Sequence, residues 1–220
     1  MKQNGKRELF IGSVLVAAFA VWTALIQIAD VQPIGQNGTD IGFATLNGWF
    51  FKLTGVHITI YTITDWLGLI PLFVCMVFAG IGFVQLVKRR SLLKVDYDIL
   101  FLGVYYIIVI FAYLIFEMIP INYRPILIEG FMEASYPSST TLLVLSVMPT
   151  FIFQVNRRLE NVAVKKTICI LSCAFSLFMV IGRLASGVHW FTDIVGSIML
   201  SSGLFYIYKA VVLLCYKEEM

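Results

Sequence analysis

Long apolar runs alternate with short polar clusters along this chain. Six runs, at residues 9–29, 66–87, 99–116, 140–155, 167–181 and 194–215, predict membrane-crossing helices, because a helix needs about 20 residues to span a bilayer. The fourth and fifth are short and would need flanking residues or a thin local bilayer. Pro149 falls inside the fourth, where a kink is tolerable because neighbouring helices can satisfy the carbonyl it frees. The pattern predicts an all-α integral membrane protein, six transmembrane helices in one domain over residues 1–220.

Composition agrees. The chain is 60% hydrophobic and 13% charged, whereas a soluble domain is nearer 45–50% and about a quarter. Positive charge then sets the expected orientation. Lys2, Lys6 and Arg7 precede the first run; Lys88, Arg89, Arg90 and Lys94 follow the second. Arg157, Arg158, Lys165 and Lys166 lie between the fourth and fifth, and Lys217 follows the sixth. A six-span layout puts them all on one side, which the positive-inside rule makes cytoplasmic. The opposite side holds Lys52, Arg124 and Arg183. Both termini are expected in the cytoplasm of a plasma-membrane protein, and the net charge of +3 reflects topology rather than a nucleic-acid partner.

The first run has a basic start like a signal peptide, but its core is too long and no small-residue cleavage site follows. It reads as an uncleaved anchor. Cys75, Cys169, Cys173 and Cys215 all fall within runs and imply neither a disulfide framework nor metal ligation. The long external segment, residues 30–65, begins with turn-forming residues and continues as aromatic-rich 43–61. Trp49, Phe50, Phe51 and Trp66 could anchor it in the interface, as an ordinary connection or as a cap over a site. His57 has no catalytic support there, and Asn37-Gly-Thr39 is a weak glycosylation match.

The candidate chemistry lies in three clusters that the topology brings to the external face. The densest is Arg183-Leu-Ala-Ser-Gly-Val-His189-Trp-Phe-Thr-Asp193. If helical, it places His189 and Asp193 one turn apart on one face. A carboxylate could then hold the imidazole N–H and leave the other ring nitrogen free to attack. Arg183 supplies a planar fork suited to phosphate oxygens. The second cluster, Glu117-Met-Ile-Pro-Ile-Asn-Tyr-Arg124-Pro125, offers another fork. The third, Tyr136-Pro137-Ser138-Ser139-Thr140-Thr141, sets hydroxyls and amides at the positive end of the fourth span. Plain interfacial anchoring and helix capping are the bland alternatives. Six spans with every candidate group at one external surface favour phosphoryl chemistry.

In order, these clusters resemble the type 2 phosphatidic acid phosphatase superfamily, membrane lipid phosphate phosphatases related to vanadium haloperoxidases. The family pattern is K-x6-R-P, P-S-G-H and S-R-x5-H-x3-D. Arg124-Pro125, Pro137-Ser138, and Arg183, His189 and Asp193 match it over residues 117–193. The resemblance implies a haloperoxidase-like helical bundle that hydrolyses a lipid phosphate or diphosphate at the external leaflet. His189 would form a phosphohistidine, Asp193 would stabilise the imidazolium, and Arg124 and Arg183 would clamp the phosphate. Ser138, Ser139, Thr140 and Glu117 would complete substrate binding. The expected partners are the lipid substrate and the bilayer; no metal or cofactor is expected.

Glu117 stands at the family's lysine position and Thr140 at the second-motif histidine, which in the family protonates the leaving group. Ser139 and Gly182 are milder departures from glycine and serine. A threonine hydroxyl is too weak an acid for that work, which is typically worth about 10²–10⁴-fold. Three consequences stay open: a diphosphate lipid with a good leaving group, Glu117 as the acid if its site is partly dry, or a head-group binder without hydrolysis. A lipid transporter is the remaining alternative, and the scarcity of charge at span centres counts against it.

Overall fold

The computed structural model describes residues 2–215; Lys217 and the Lys2 side chain lie outside the described residues. Among these residues eight α-helices follow in order: α1 Lys2–Ile28, α2 Ala44–Thr54, α3 Ile58–Leu67, α4 Leu69–Arg89, α5 Tyr97–Met118, α6 Ser139–Arg158, α7 Val162–Ala185 and α8 Phe191–Cys215. Among the described residues the extended structure amounts to isolated bridges in the loops. Among the described residues six segments are long and apolar enough to cross a membrane: Gln3–Ile28, Ile58–Arg89, Tyr97–Met118, Ser139–Arg158, Val162–Ala185 and Phe191–Cys215. The predicted spans are all present. The fourth and fifth extend to 20 and 24 residues, so no local thinning is needed.

The main departure concerns residues 30–65, expected as a loop. They contain α2 and α3, and α3 leads into α4 with one break, at Gly68. Pro71 explains the break. It has no N–H to give to the Leu67 carbonyl four residues back, and its ring crowds that position. The second span is therefore two helices, α3 and α4, joined at Gly68 within Ile58–Arg89.

Packing is tightest between α1 and α8. A Cβ on Gly12 would meet the Gly203 carbonyl at 2.9 Å, and one on Gly203 would meet Val16 N at 3.1 Å. Such backbone approach is how small residues join helices where lipid supplies no hydrophobic drive. Half of the apolar stretch of α6 is enclosed by its neighbours. Its Pro149 leaves the helix continuous, and the Tyr105 hydroxyl of α5 donates to Ser146 O beside it. Leu102, Tyr105, Leu142, Val147 and Tyr208 centre the core. Ile107, Ile108 and Phe111 remain exposed on the outer face of α5, as a lipid-facing surface requires.

Between α5 and α6 the chain turns through a hairpin-like loop. Tyr123 bridges Ala134 and Ile128 bridges Phe131, with Glu129 and Gly130 both at positive φ, as in a two-residue type I′ turn. This pairing sets Arg124 beside Glu133, whose carbonyl accepts the Arg124 N–H at 3.0 Å.

A buried histidine between two arginines

The α7–α8 turn carries His189. Gly187 sits there at φ 69°, and a Cβ on it would come within 1.9 Å of the Gly55 carbonyl, so only glycine fits both the conformation and the contact. Ser186 O accepts the His57 N–H at 2.9 Å, pinning this turn to the start of α3. His189 itself lies outside any helix, contrary to the one-face geometry expected from the sequence. It still meets Asp193, at 3.7 Å between Nδ1 and Oδ2.

That distance is too long for a hydrogen bond. The Nδ1 partner is instead the Ser135 carbonyl, at 3.1 Å. Asp193 occupies the third position of α8 and reaches back to accept the Trp190 N–H at 2.9 Å, the carboxylate half of a capping box. Its other oxygen faces Asn122 Nδ2 at 3.5 Å. Asp193 thus caps the helix and stands behind the imidazole, while a backbone carbonyl orients the ring.

The tautomer follows from the partner. A carbonyl only accepts, so Nδ1 carries the proton, and in the neutral ring Nε2 keeps the lone pair. Burial drives the His189 pKa well below the usual histidine value, the charges of Arg124 and Arg183 push it the same way, and the Ser135 bond opposes. The imidazole is therefore neutral near pH 7. Its side chain is 1% exposed, and Nε2 is buried with no hydrogen-bond partner.

The two arginines share this trait. Arg183 is almost wholly buried; its Nη1 lies 3.6 Å from Asp65 Oδ1 and 3.4 Å from Thr64 Oγ1, but its Nε has no partner. Arg124 Nη2 pairs with Glu133 Oε2 at 3.1 Å, while its Nε and Nη1 are buried and unpaired. Orphaned donors of this kind are costly, and their concentration around one histidine fits a tetrahedral oxyanion.

Two cavities adjoin. A polar one of about 210 Å³ is lined by Glu117, Arg124, Glu133, Ser135, Ser139 and Tyr113 among others. An apolar one of about 340 Å³ lies among α3, α4, α5 and α6 and includes Leu69, Leu72, Val109, Ile110 and Thr140. Tyr113 and Ser139 border both.

The remaining candidates divide. Ser139 lines both cavities at the start of α6. Ser138 is fully buried, with its hydroxyl on Thr141 at 3.1 Å and its amide on Asp193 O at 3.3 Å; the expectation that it faces an anion is corrected, because both groups are engaged inside the fold. Thr140 faces the apolar cavity. Glu117 is exposed at the cavity rim, so the dry surroundings that would suit it to acid work are missing. His57 is exposed, with Nε2 near Thr54 O. Among the described residues, no group of three or more His, Cys, Asp or Glu is placed to hold a metal ion.

Sequence reasoning missed Ser135, Glu133, Tyr61 and Asp65. Glu129-Gly130 between apolar residues was a legible hairpin signal that would have paired Arg124 with Glu133. Nothing in the sequence marks the Ser135 carbonyl.

An α-helical membrane protein thus gathers a neutral histidine and two buried arginines in one place, and part of the chain matches a known family. Residues 114–216 match the family model of the PAP2 superfamily. The fold is similar to the crystal structure of the first transmembrane PAP2 type phosphatidylglycerolphosphate phosphatase from Bacillus subtilis: TM-score 0.68, 17% identity, covering 94% of this chain and 98% of that one. The family match covers a little under half of the chain, and the likeness to the solved structure shows the fold, that of a multi-pass membrane protein. A comparison with curated proteins found no match.

Proposed function

We propose that this protein is a lipid phosphatase that removes phosphate from a membrane lipid phosphate or diphosphate at the external leaflet. The observation that carries the reading is the lone pair of His189 Nε2, buried and unpaired among the unpaired donors of Arg124 and Arg183. Those donors hold the phosphate oxygens. Nε2 attacks phosphorus, the N–P bond forms as the P–O bond to the lipid breaks, and the leaving oxygen takes a proton from water. A second water then cleaves the N–P bond and releases inorganic phosphate. Asp193, close behind the ring, favours the cationic imidazole of the phosphohistidine.

Substrate class follows from the paired cavities. A polar head suits the arginine-lined one and an apolar tail the neighbouring one. Because Thr140 replaces the acid histidine, the preferred substrate is a lipid diphosphate, whose phosphate leaving group needs little protonation. Basic residues at the far end of the bundle support cytoplasmic termini and an external site in a plasma membrane.

A second reading, a head-group binder that does not hydrolyse, is favoured by the enclosure of Nε2 and by Thr140. One experiment separates them: phosphate release by the purified protein in detergent from a panel of lipid phosphates and diphosphates, beside His189→Ala. Release that disappears in the variant supports the phosphatase; lipid binding without release from either protein sinks it.

A further inference from the structure

Both arginines of the anion seat meet one aromatic ring. The Arg183 guanidinium carbon lies 4.8 Å from the Tyr61 ring centroid and the Arg124 carbon 5.7 Å. Both distances fall within reach of a cation–π contact. Stacking engages the face of a guanidinium and leaves its edge donors available. Each arginine also faces a carboxylate: Arg124 Nη2 pairs with Glu133 at 3.1 Å, and Arg183 Nη1 lies 3.6 Å from the exposed Asp65. The donors left buried and unpaired are Nε on Arg183 and Nε with Nη1 on Arg124.

We infer that Tyr61 is a positioning residue for the anion seat: one ring holds two guanidinium planes so that their free edges converge on the phosphate. The inference rests on the phosphatase reading and assigns α3 a part in it. The sequence supports the placement. Tyr61 and Asp65 are four residues apart on α3, so they share a face and meet Arg183 together. Thr64, from the same helix, receives Arg183 Nη1. The two arginines repel each other, and contact of each with the electron-rich ring offsets part of that cost.

The test uses the whole protein in detergent, with orthovanadate as a phosphate mimic and kcat and KM on the best lipid substrate. Tyr61→Phe keeps the ring and should hold vanadate inhibition and KM within about twofold. Tyr61→Leu should weaken vanadate by roughly tenfold or more and raise KM in parallel. A series of phenylalanines with increasing ring fluorination at position 61 keeps the shape, and hence the fold, while draining charge from the ring face. Vanadate affinity should fall stepwise along it. Affinity unchanged across the fluorinated series, or a Tyr61→Leu protein that binds vanadate as wild type does, overturns the positioning role and leaves the phosphatase reading standing. Wild-type protein that neither releases phosphate nor binds vanadate overturns the reading itself, and this inference with it.

Discussion

The two ends of the bundle treat their arginines in opposite ways. At the basic end Arg158 donates from Nε to Gln154, from Nη1 to Asp96 and from Nη2 to Asp98, at 2.9, 3.2 and 2.8 Å. Asp96 also takes Arg89 and Gln85. Burial pushes the Asp96 carboxyl up, but the hydrogen bonds from Arg89, Gln85 and Arg158 outweigh it and hold it below the ordinary carboxylate range. At the other end Arg124 and Arg183 are more buried, yet each keeps donors unpaired beside a neutral His189. A clamp that ties α4, α5 and α6 together is saturated. The arginines beside His189 leave donors unpaired, at a cost to stability.

The strongest break in this comparison comes from the histidine. His189→Ala should lower phosphate release by at least about 10³-fold, since the nucleophile acts only in the chemical step. Vanadate should still bind, because both arginines remain. A His189→Ala protein as active as wild type would end the phosphohistidine mechanism.

Next come the arginines, taken crosswise. Arg183→Ala should reduce kcat/KM by about 10²–10³-fold with little loss of thermal stability, because the cation it removes is poorly satisfied. Arg158→Ala should do the reverse: activity near normal, stability lower by about 2 kcal/mol, since buried Asp98 loses a partner. Kinetic assays beside thermal unfolding in detergent check both. If Arg183→Ala is the unstable one and Arg158→Ala the inactive one, the contrast between the ends is wrong.

Thr140→His sharpens the site's chemistry. The apolar cavity beside Thr140, about 340 Å³, has room for an imidazole. Restoring an acid there should raise turnover of a lipid monophosphate by about tenfold or more and leave a diphosphate nearly unchanged. Equal gains on both substrates, measured as phosphate release, would remove the leaving-group explanation for Thr140.

The sequence carried the spans and the charged clusters because apolar runs and costly charges are local facts. It also carried Arg124, Arg183, His189 and Asp193, which the fold brings together. It did not carry how they meet. His189 and Asp193 met through a turn and a capping box, not along a helix face. The Nδ1 partner, Ser135 O, is a backbone group 54 residues away, and no side chain advertises it. The segment expected as a loop became α2 and α3, because its Gly, Asn and Thr residues read as turns and its aromatic-rich part as an interfacial connection.

The smallest effect is the most direct probe of the buried ring. Because the His189 pKa lies well below its ordinary value, the neutral nucleophile persists as pH falls through about 6.5. The acid limb of kcat/KM should therefore lie below that value. Stability moves the other way. Below about pH 6.5 the unfolded chain binds a proton at this histidine that the folded chain refuses, so folding stability falls by up to about 1.4 kcal/mol per pH unit until the folded pKa is reached. His189→Gln should flatten this slope between pH 6.5 and 5, read as the difference between the two proteins' unfolding temperatures across that range. An identical slope in both proteins, with an acid limb at or above pH 6.5, would mean that the imidazole is hydrated and charged. The saturated end would then no longer differ from the reactive one in the way argued.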